Sequence, residues 1–511
     1  MGFTLVLQND ICRENFAEIC LQTSIGDMRQ IALATGLALS LVAAPAAATA
    51  AARPSSAVEH ASAPGEAPVA VPADLTGKEV SFLGGGGLTL HGTVLSPVKA
   101  SPERPGMVLV HGAGTGTPRA KLMGEAVEFA RRGMSVLVYD KRSEGYSRFR
   151  RSYSTLADDA LGAVTALRSQ QGVDPAKVGV WGLSEGGWVA PLAASRSRDV
   201  AFVVAVGANA LTPLRQQTWA VAEGLRKAGV AGSLVDRAEP KLYRTIADGG
   251  MFPEPWYDPE PTLAAVRQPV LAIWGVHDLL TPPEETPPIF ARALEKGGNR
   301  HYTFRFFAGA DHAAHLTPDG GVTRLPALAP GYADLVGSWV REVVAGRPPL
   351  ASTSGPAPEQ ATPTVPVERP APWESAPVQA AVMALMIVAF AAYPVTALVR
   401  RLRGRPRTAL PAAPRVLGAA GLVALLGSFA YLFYLLMTGG KLAAPGPVLL
   451  DRPIVWLALQ ALALTTVAAS IRTVRAWRRA GTRSERARLG LLLAGGAAFL
   501  PWALYWGLLL P

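Results

Sequence analysis

The sequence predicts an α/β domain, a mainly parallel sheet with helices on both faces, followed by an all-α transmembrane region of four helices. Three observations carry that prediction. Val-rich apolar runs of strand length alternate with stretches of helical period between residues 76 and 345, as strands buried on both faces do. Four uncharged apolar segments close the chain: Gln379 to Val399, Val416 to Met437, Ile454 to Ile471 and Leu489 to Leu510. Each is long enough, or nearly so, to span a bilayer. Half of the 511 residues are hydrophobic and only 17% are charged, too apolar for an ordinary soluble protein and far from a disordered or collagen-like chain.

From the N-terminus, Met28 and Arg29 precede an apolar run, Ile31 to Val42, then Pro45 and the small residues Ala46, Ala48 and Ala50. Charge, apolar core and small residues in that order form a secretory signal. The 27 residues before Met28 are polar and acidic, unlike a signal's first part, so Met28 is the expected start and residues 1–50 are read as leader plus signal. The only cysteines, Cys12 and Cys20, fall in that leader, which leaves no disulfide, thiol chemistry or cysteine-held metal for the mature protein. Residues 51–75 are Ala/Pro-rich and read as a spacer.

The α/β domain is expected over 76–345, with strands at Met107 to Val110, Met134 to Tyr139, Val178 to Trp181, Val200 to Val206 and Pro269 to Trp274. Leu211 to Leu263 is longer than a crossover between two core strands requires, and a helical cap accounts for it. Trp219, Leu225, Tyr243, Phe252 and Trp256 are the side chains expected to line that cap. Residues 346–377 form a second Pro/Ala/Ser/Thr linker, and 378–511 hold the four spans. Arg400 to Arg415 and Arg472 to Arg488 contain thirteen arginines against one glutamate, more than the whole net charge of +11. The basic excess is therefore local and topological, and no nucleic-acid partner is expected. Both Arg-rich loops belong in the cytoplasm by the positive-inside rule, which leaves Val378, everything upstream of it and Pro511 outside. The signal exports the same region. No ionisable residue lies within a span, so nothing supports an ion pathway.

The chemistry concentrates in three loops. Lys177 to Trp188 reads KVGVWGLSEGGW, a strand, then Gly182-Leu183-Ser184-Glu185-Gly186, then a helical run from Trp188 to Ser195. A sharp strand-to-helix turn of this kind exposes a strained nucleophile. A serine hydroxyl is a poor nucleophile until an imidazole takes its proton, and the imidazole needs a carboxylate to hold its tautomer. In the expected order Ser, Asp, His, the carboxylate is Asp278, in the loop after Val270 to Trp274, and the base is His312, after Phe304 to Phe307. His315 is the runner-up; His277 adjoins the acid. Val108 to Gly116 reads VLVHGAGTG, and the backbone N–H groups of Ala113 and Glu185 are the expected oxyanion donors. His111 is read as structural. No G-K-[ST] follows the Gly run, so it is not a phosphate loop, and no metal or cofactor is implied.

These residues resemble the alpha/beta-hydrolase superfamily, in particular its bacterial esterase branch near the dienelactone-hydrolase-like and serine-aminopeptidase-like groups. The matching stretches are HGAG at His111, VYDKRSEGYS at Val138, the Asp158-Asp159 pair, VGVWGLSEGGWVAPLAA at Val178, GVHDLLTP at Gly275 and GADHA at Gly309. The resemblance implies Ser184, Asp278 and His312 as a catalytic triad and a small ester or short peptide as substrate. The reading is thus an extracytoplasmic serine hydrolase tethered in a bacterial inner membrane, with the bilayer as partner. A peptidase of the same fold is the nearest rival, for which Glu239 and Glu254 would have to hold a substrate amine. A non-catalytic envelope-binding protein is the alternative of another class.

Overall fold

The computed structural model describes residues 71–99, 103–404 and 412–511. The leader, Met28, the Ile31 to Val42 signal, both cysteines, the spacer up to residue 70 and part of the first Arg-rich loop lie outside the described residues.

Nine strands build the sheet: β1 (Leu75–Leu83), β2 (Thr89–Pro97), β3 (Arg104–Val110), β4 (Ser135–Tyr139), β5 (Val173–Leu183), β6 (Val203–Val206), β7 (Val270–Gly275), β8 (Tyr302–Phe307) and β9 (Ser352–Ser354). Their order is β1-β2-β4-β3-β5-β6-β7-β8-β9. The β1–β2 and β2–β4 pairs are antiparallel, and every pair from β4 onward is parallel. Helices α1 (Met123–Arg131), α2 (Tyr153–Arg168) and α3 (Gly186–Arg196) follow in the chain, then α4 (Pro213–Lys227), α5 (Glu239–Asp248) and α6 (Glu260–Ala265) between β6 and β7, then α7 (Thr286–Lys296) and α8 (Tyr332–Val344).

Alternation along the strands sends successive side chains to opposite faces. Val203 and Ala205 of β6 join the core shared with α2, α3 and α7, while Val204 and Val206 join the core under α1 and α8. Trp181 is fully buried on the second face, where its indole N–H donates to Tyr332 Oη at 3.0 Å. Both faces are therefore covered, as the unbroken apolar runs require.

Four long helices follow: α9 (Ala376–Leu402), α10 (Ala412–Thr438), α11 (Ile454–Arg478) and α12 (Arg483–Tyr505). All four are long and apolar enough to cross a membrane. Leu385, Val388, Val395, Leu464 and Ile471 are more than half exposed on the bundle's outer surface, a belt that water would not tolerate and lipid would.

The helices expected over 211–263 are present as α4 to α6 with a π-helical turn at Leu234–Ala238, and much of their apolar side packs against the bundle. Leu225 and Tyr243 lie in one apolar core with Phe390, Leu435, Trp456 and Trp506 of the bundle, and Phe252 and Trp256 pack against that core. Trp219 donates to Thr362 O at 2.9 Å. Polar ties reinforce the junction: Ser233 N to Pro511 O at 3.1 Å, Ala231 N to Asp451 O at 2.8 Å, Arg148 Nη1 to Leu436 O at 3.4 Å and Lys241 Nζ to Tyr505 O. Every one of these contacts is made at the end of the bundle opposite the Arg-rich turns. Residues 346–377, expected as a linker, pack against the domain as well. Ser352–Ser354 adds β9 to the sheet, and Thr362 and Thr364 hydrogen-bond Glu223 and Glu285. Linker composition reports a shortage of apolar side chains, which does not prevent threonine and backbone groups from docking on charged partners.

Candidate active site

The turn after β5 holds Ser184 at φ 56°, a conformation that few non-glycine residues adopt and that functional turns retain. Its flanking glycines are steric necessities. A Cβ on Gly182 would run into the Gly186 carbonyl, and one on Gly186 would lie 2.7 Å from Val110 O. Ser184 N donates to Val206 O at 2.9 Å, which pins the turn to the end of β6.

Asp278 and His312 meet beyond the neighbouring strands. Asp278 is fully buried after β7, and its Oδ1 accepts the N–H groups of Leu280 and Thr281, both at 2.8 Å. His312 Nδ1 lies 3.0 and 2.9 Å from the two carboxylate oxygens, so Nδ1 is the nitrogen that donates to Asp278. The other ring nitrogen, Nε2, is buried without a hydrogen-bond partner among the described residues. The ring abuts Gly207, directly after the β6 end to which Ser184 is pinned. Asn209 ties the two sides together: its Nδ2 donates to Ser184 O at 3.1 Å, and its Oδ1 accepts from Thr281 Oγ1 at 3.0 Å.

The three histidines weighed beside His312 are occupied elsewhere. His315 lies 3.2 Å from Glu125 and 3.0 Å from Leu325 O, His277 faces Glu359 at 2.9 Å, and His111 Nε2 bonds Tyr139 O at 2.7 Å. Burial holds His111 down to about 4, as its structural reading requires. The acidic residues considered for an amine site are not a pair: Glu254 accepts from Tyr153 N at 2.8 Å, whereas Glu239 is buried in the cap near Arg226.

Among the described residues, the backbone N–H groups of Ala113 and Glu185 make no hydrogen bond within the chain. Behind them lies an ionic cluster that local sequence patterns did not disclose. The Glu185 carboxylate accepts from Lys141 Nζ at 2.5 Å, Arg151 Nη1 at 2.7 Å and Tyr146 Oη at 3.0 Å. Burial alone would push Glu185 up; Lys141 and Arg151 outweigh it and hold the carboxyl below its ordinary range. Lys141 also donates to Gly112 O at 2.6 Å, and Tyr146 Oη accepts from Gly114 N at 3.2 Å. Lys141 and Tyr146 both lie in the VYDKRSEGYS stretch, whose composition marks it as distinctive without naming its partners.

The sheet order, the sharp turn at Ser184 and the loops bearing Asp278 and His312 define a domain of the alpha/beta-hydrolase superfamily, with the serine-hydrolase fold, joined to four apolar helices. The model of the prolyl oligopeptidase family matches residues 122–324. Among curated proteins, the polyketide transferase claH of Penicillium crustosum is 34% identical over 134 residues, 25% of this chain and 44% of that protein. The thiohydrolase aneE of Aspergillus aculeatus is 33% identical over 135 residues, 26% of this chain and 41% of that protein. The chain thus spans less than half the length of these relatives. A dienelactone hydrolase from Anabaena variabilis aligns at 21% identity over 53% of this chain and 98% of its own, with a TM-score of 0.32.

Proposed function

We propose that the protein is a membrane-tethered serine hydrolase that cleaves carboxylic esters through Ser184, His312 and Asp278. One observation carries the reading: His312 binds the buried Asp278 through Nδ1 and keeps a buried, unpartnered Nε2 beside the strand end that pins Ser184. Ser184 Oγ attacks the acyl carbonyl while Nε2 takes its proton. The tetrahedral intermediate collapses, the C–O bond to the leaving group breaks, and Nε2 returns the proton to the departing alcohol. Water, deprotonated by the same nitrogen, then releases the acid and restores Ser184.

The developing oxyanion is received by the N–H groups of Ala113 and Glu185. A trans peptide points its C=O and N–H to opposite sides, so the Lys141 bond to Gly112 O aims the Ala113 N–H away from Lys141. The Glu185 side chain anchors that same lysine, so one cluster positions both donors. A fluorophosphonate probe and a panel of oxygen esters, thioesters and aminoacyl amides test the reading. Ser184→Ala is expected to lose both labelling and turnover while remaining folded; undiminished kcat in that variant would sink it. The match to the prolyl oligopeptidase family favours a second reading, an amide substrate, and turnover of the amides above the esters would select it.

The orientation proposed is hydrolase domain outward. The domain contacts the bundle at the ends away from the Arg-rich turns, and translocating those arginines against the membrane potential is costly. A cysteine replacing Ser375 should react with an impermeant thiol reagent in intact cells and one replacing Thr408 should not. The reverse pattern would place the domain in the cytoplasm.

A further inference from the structure

A cleft of about 280 Å³ lies between α4, α5 and the segment 363–368, away from Ser184. Four cations line it, Arg226, Arg237, Lys241 and Arg244, with two acids, Asp236 and Glu368. The acids do not neutralise it. Asp236 is engaged by Arg226 at 3.1 Å, Arg244 is engaged by Glu374 at 2.5 Å, and Glu368 is exposed at the rim. Arg237 has no hydrogen-bond or ion-pair partner among the described residues, and Lys241 meets only the carbonyl and ring of Tyr505. Two cations, Arg237 and Lys241, therefore face the one lining acid that is not already paired, Glu368, and the cleft keeps a net positive charge.

The height of the cleft is set by the bundle. Tyr505, the last residue of α12, touches Lys241 and Arg244, and Glu374 stands two residues before α9 begins. Trp373, more than half exposed, packs edge-on against Tyr505 at 5.5 Å. Aromatic side chains at span ends mark the headgroup level of a bilayer. Burial, with Arg237 and Arg244 as like-charged neighbours, lowers Lys241 to about 8, a strain that an anion would relieve.

We propose that this cleft binds an anionic phosphate group, presented by a phospholipid of the adjacent leaflet. Guanidinium and ammonium groups converging at headgroup depth suit a phosphate with net negative charge, and Pro363 and Val365 in the lining give its glycerol portion an apolar wall. The site stands whether or not Ser184 is a nucleophile.

The test uses the full chain in nanodiscs of phosphatidylcholine with a rising fraction of phosphatidylglycerol, read as the thermal unfolding midpoint. Phosphatidylglycerol is expected to raise the midpoint of the wild type. Because each cation near a membrane surface strengthens binding about fivefold, Arg237→Gln should need about fivefold more phosphatidylglycerol for half the effect, and Arg237→Gln with Lys241→Gln more still. The single variant removes a side chain that bonds nothing, so it keeps the test valid if the double variant fails to fold. A second arm adds inorganic phosphate to pure phosphatidylcholine nanodiscs: stabilisation that Arg237→Gln abolishes would support the anion site with a soluble source. An equal response of wild type and variants to phosphatidylglycerol, with none to phosphate, would assign the lipid effect to the Arg-rich turns and overturn the proposal. So would the absence of any response in the wild type.

Discussion

Glu185 and Glu239 are both completely buried glutamates, and their surroundings drive them in opposite directions. Glu185, next to Ser184, meets two cations and a tyrosine hydroxyl, which hold its carboxyl below the ordinary range. Glu239, where the cap meets the bundle, has no hydrogen-bond partner for either oxygen among the described residues. Burial pushes its carboxyl well above the ordinary value, with Arg226 opposing only weakly. A buried charge persists where the fold supplies matched partners; elsewhere the group takes up a proton instead. The end of the sheet that carries Ser184 is thus built from compensated charge, and the junction from apolar packing that tolerates a neutral acid.

The largest effect expected on the side of Ser184 is loss of the proposed base. His312→Ala should lower kcat by about 10⁶, as removal of one member of a unit does, whereas His315→Ala, whose ring serves Glu125 and Leu325, should leave kcat within about threefold. Steady-state kinetics on a p-nitrophenyl ester separates them, and the reverse pattern would show that the wrong histidine was assigned.

Lys141→Met attacks the comparison directly, because it moves Glu185 toward the condition of Glu239. It removes one of two cations from Glu185 and frees the Gly112 carbonyl. The expected result is a kcat reduced by about 10²-fold or more with KM little changed, the pattern of a weakened oxyanion donor, partly restored by Lys141→Arg. A rise in KM alone would make the cluster a substrate-binding feature rather than a positioning one.

The smallest effect concerns stability at the junction. The unfolded chain ionises Glu239 above about 4.5, the ordinary value, while the folded chain keeps it protonated. The stability it contributes is therefore complete below that value and lost as pH rises toward the raised folded value. Glu185, lowered on folding, works in the other sense, with stability lost as pH falls below its ordinary range. Glu239→Gln should leave the unfolding midpoint near pH 4 unchanged and raise it by roughly 2 °C or more near pH 8. A parallel pH profile in the variant and the wild type would mean that Glu239 is already ionised in the folded protein.

Features written in short stretches of chain are legible from the residues alone. The strand-turn-helix at Ser184, the apolar runs of β5 to β8, the four spans and the arginine asymmetry all depend on residues within one element or loop, where periodicity and steric need express themselves locally. The loops that carry Asp278 and His312 are legible as well, because each follows a recognisable strand.

What the tertiary structure alone decided is which distant groups meet. Lys141 and Glu185 stand 44 residues apart, Thr362 reaches Glu223 across 139, and Ser233 reaches Leu510 across 277. Of the cap aromatics, Tyr243, Phe252 and Trp256 pack with the bundle, since an apolar surface specifies burial without specifying its partner. The same holds for charge: Glu185 and Glu239 are one residue type, and only the neighbours that folding brings within hydrogen-bonding distance determine that one is a carboxylate and the other an acid.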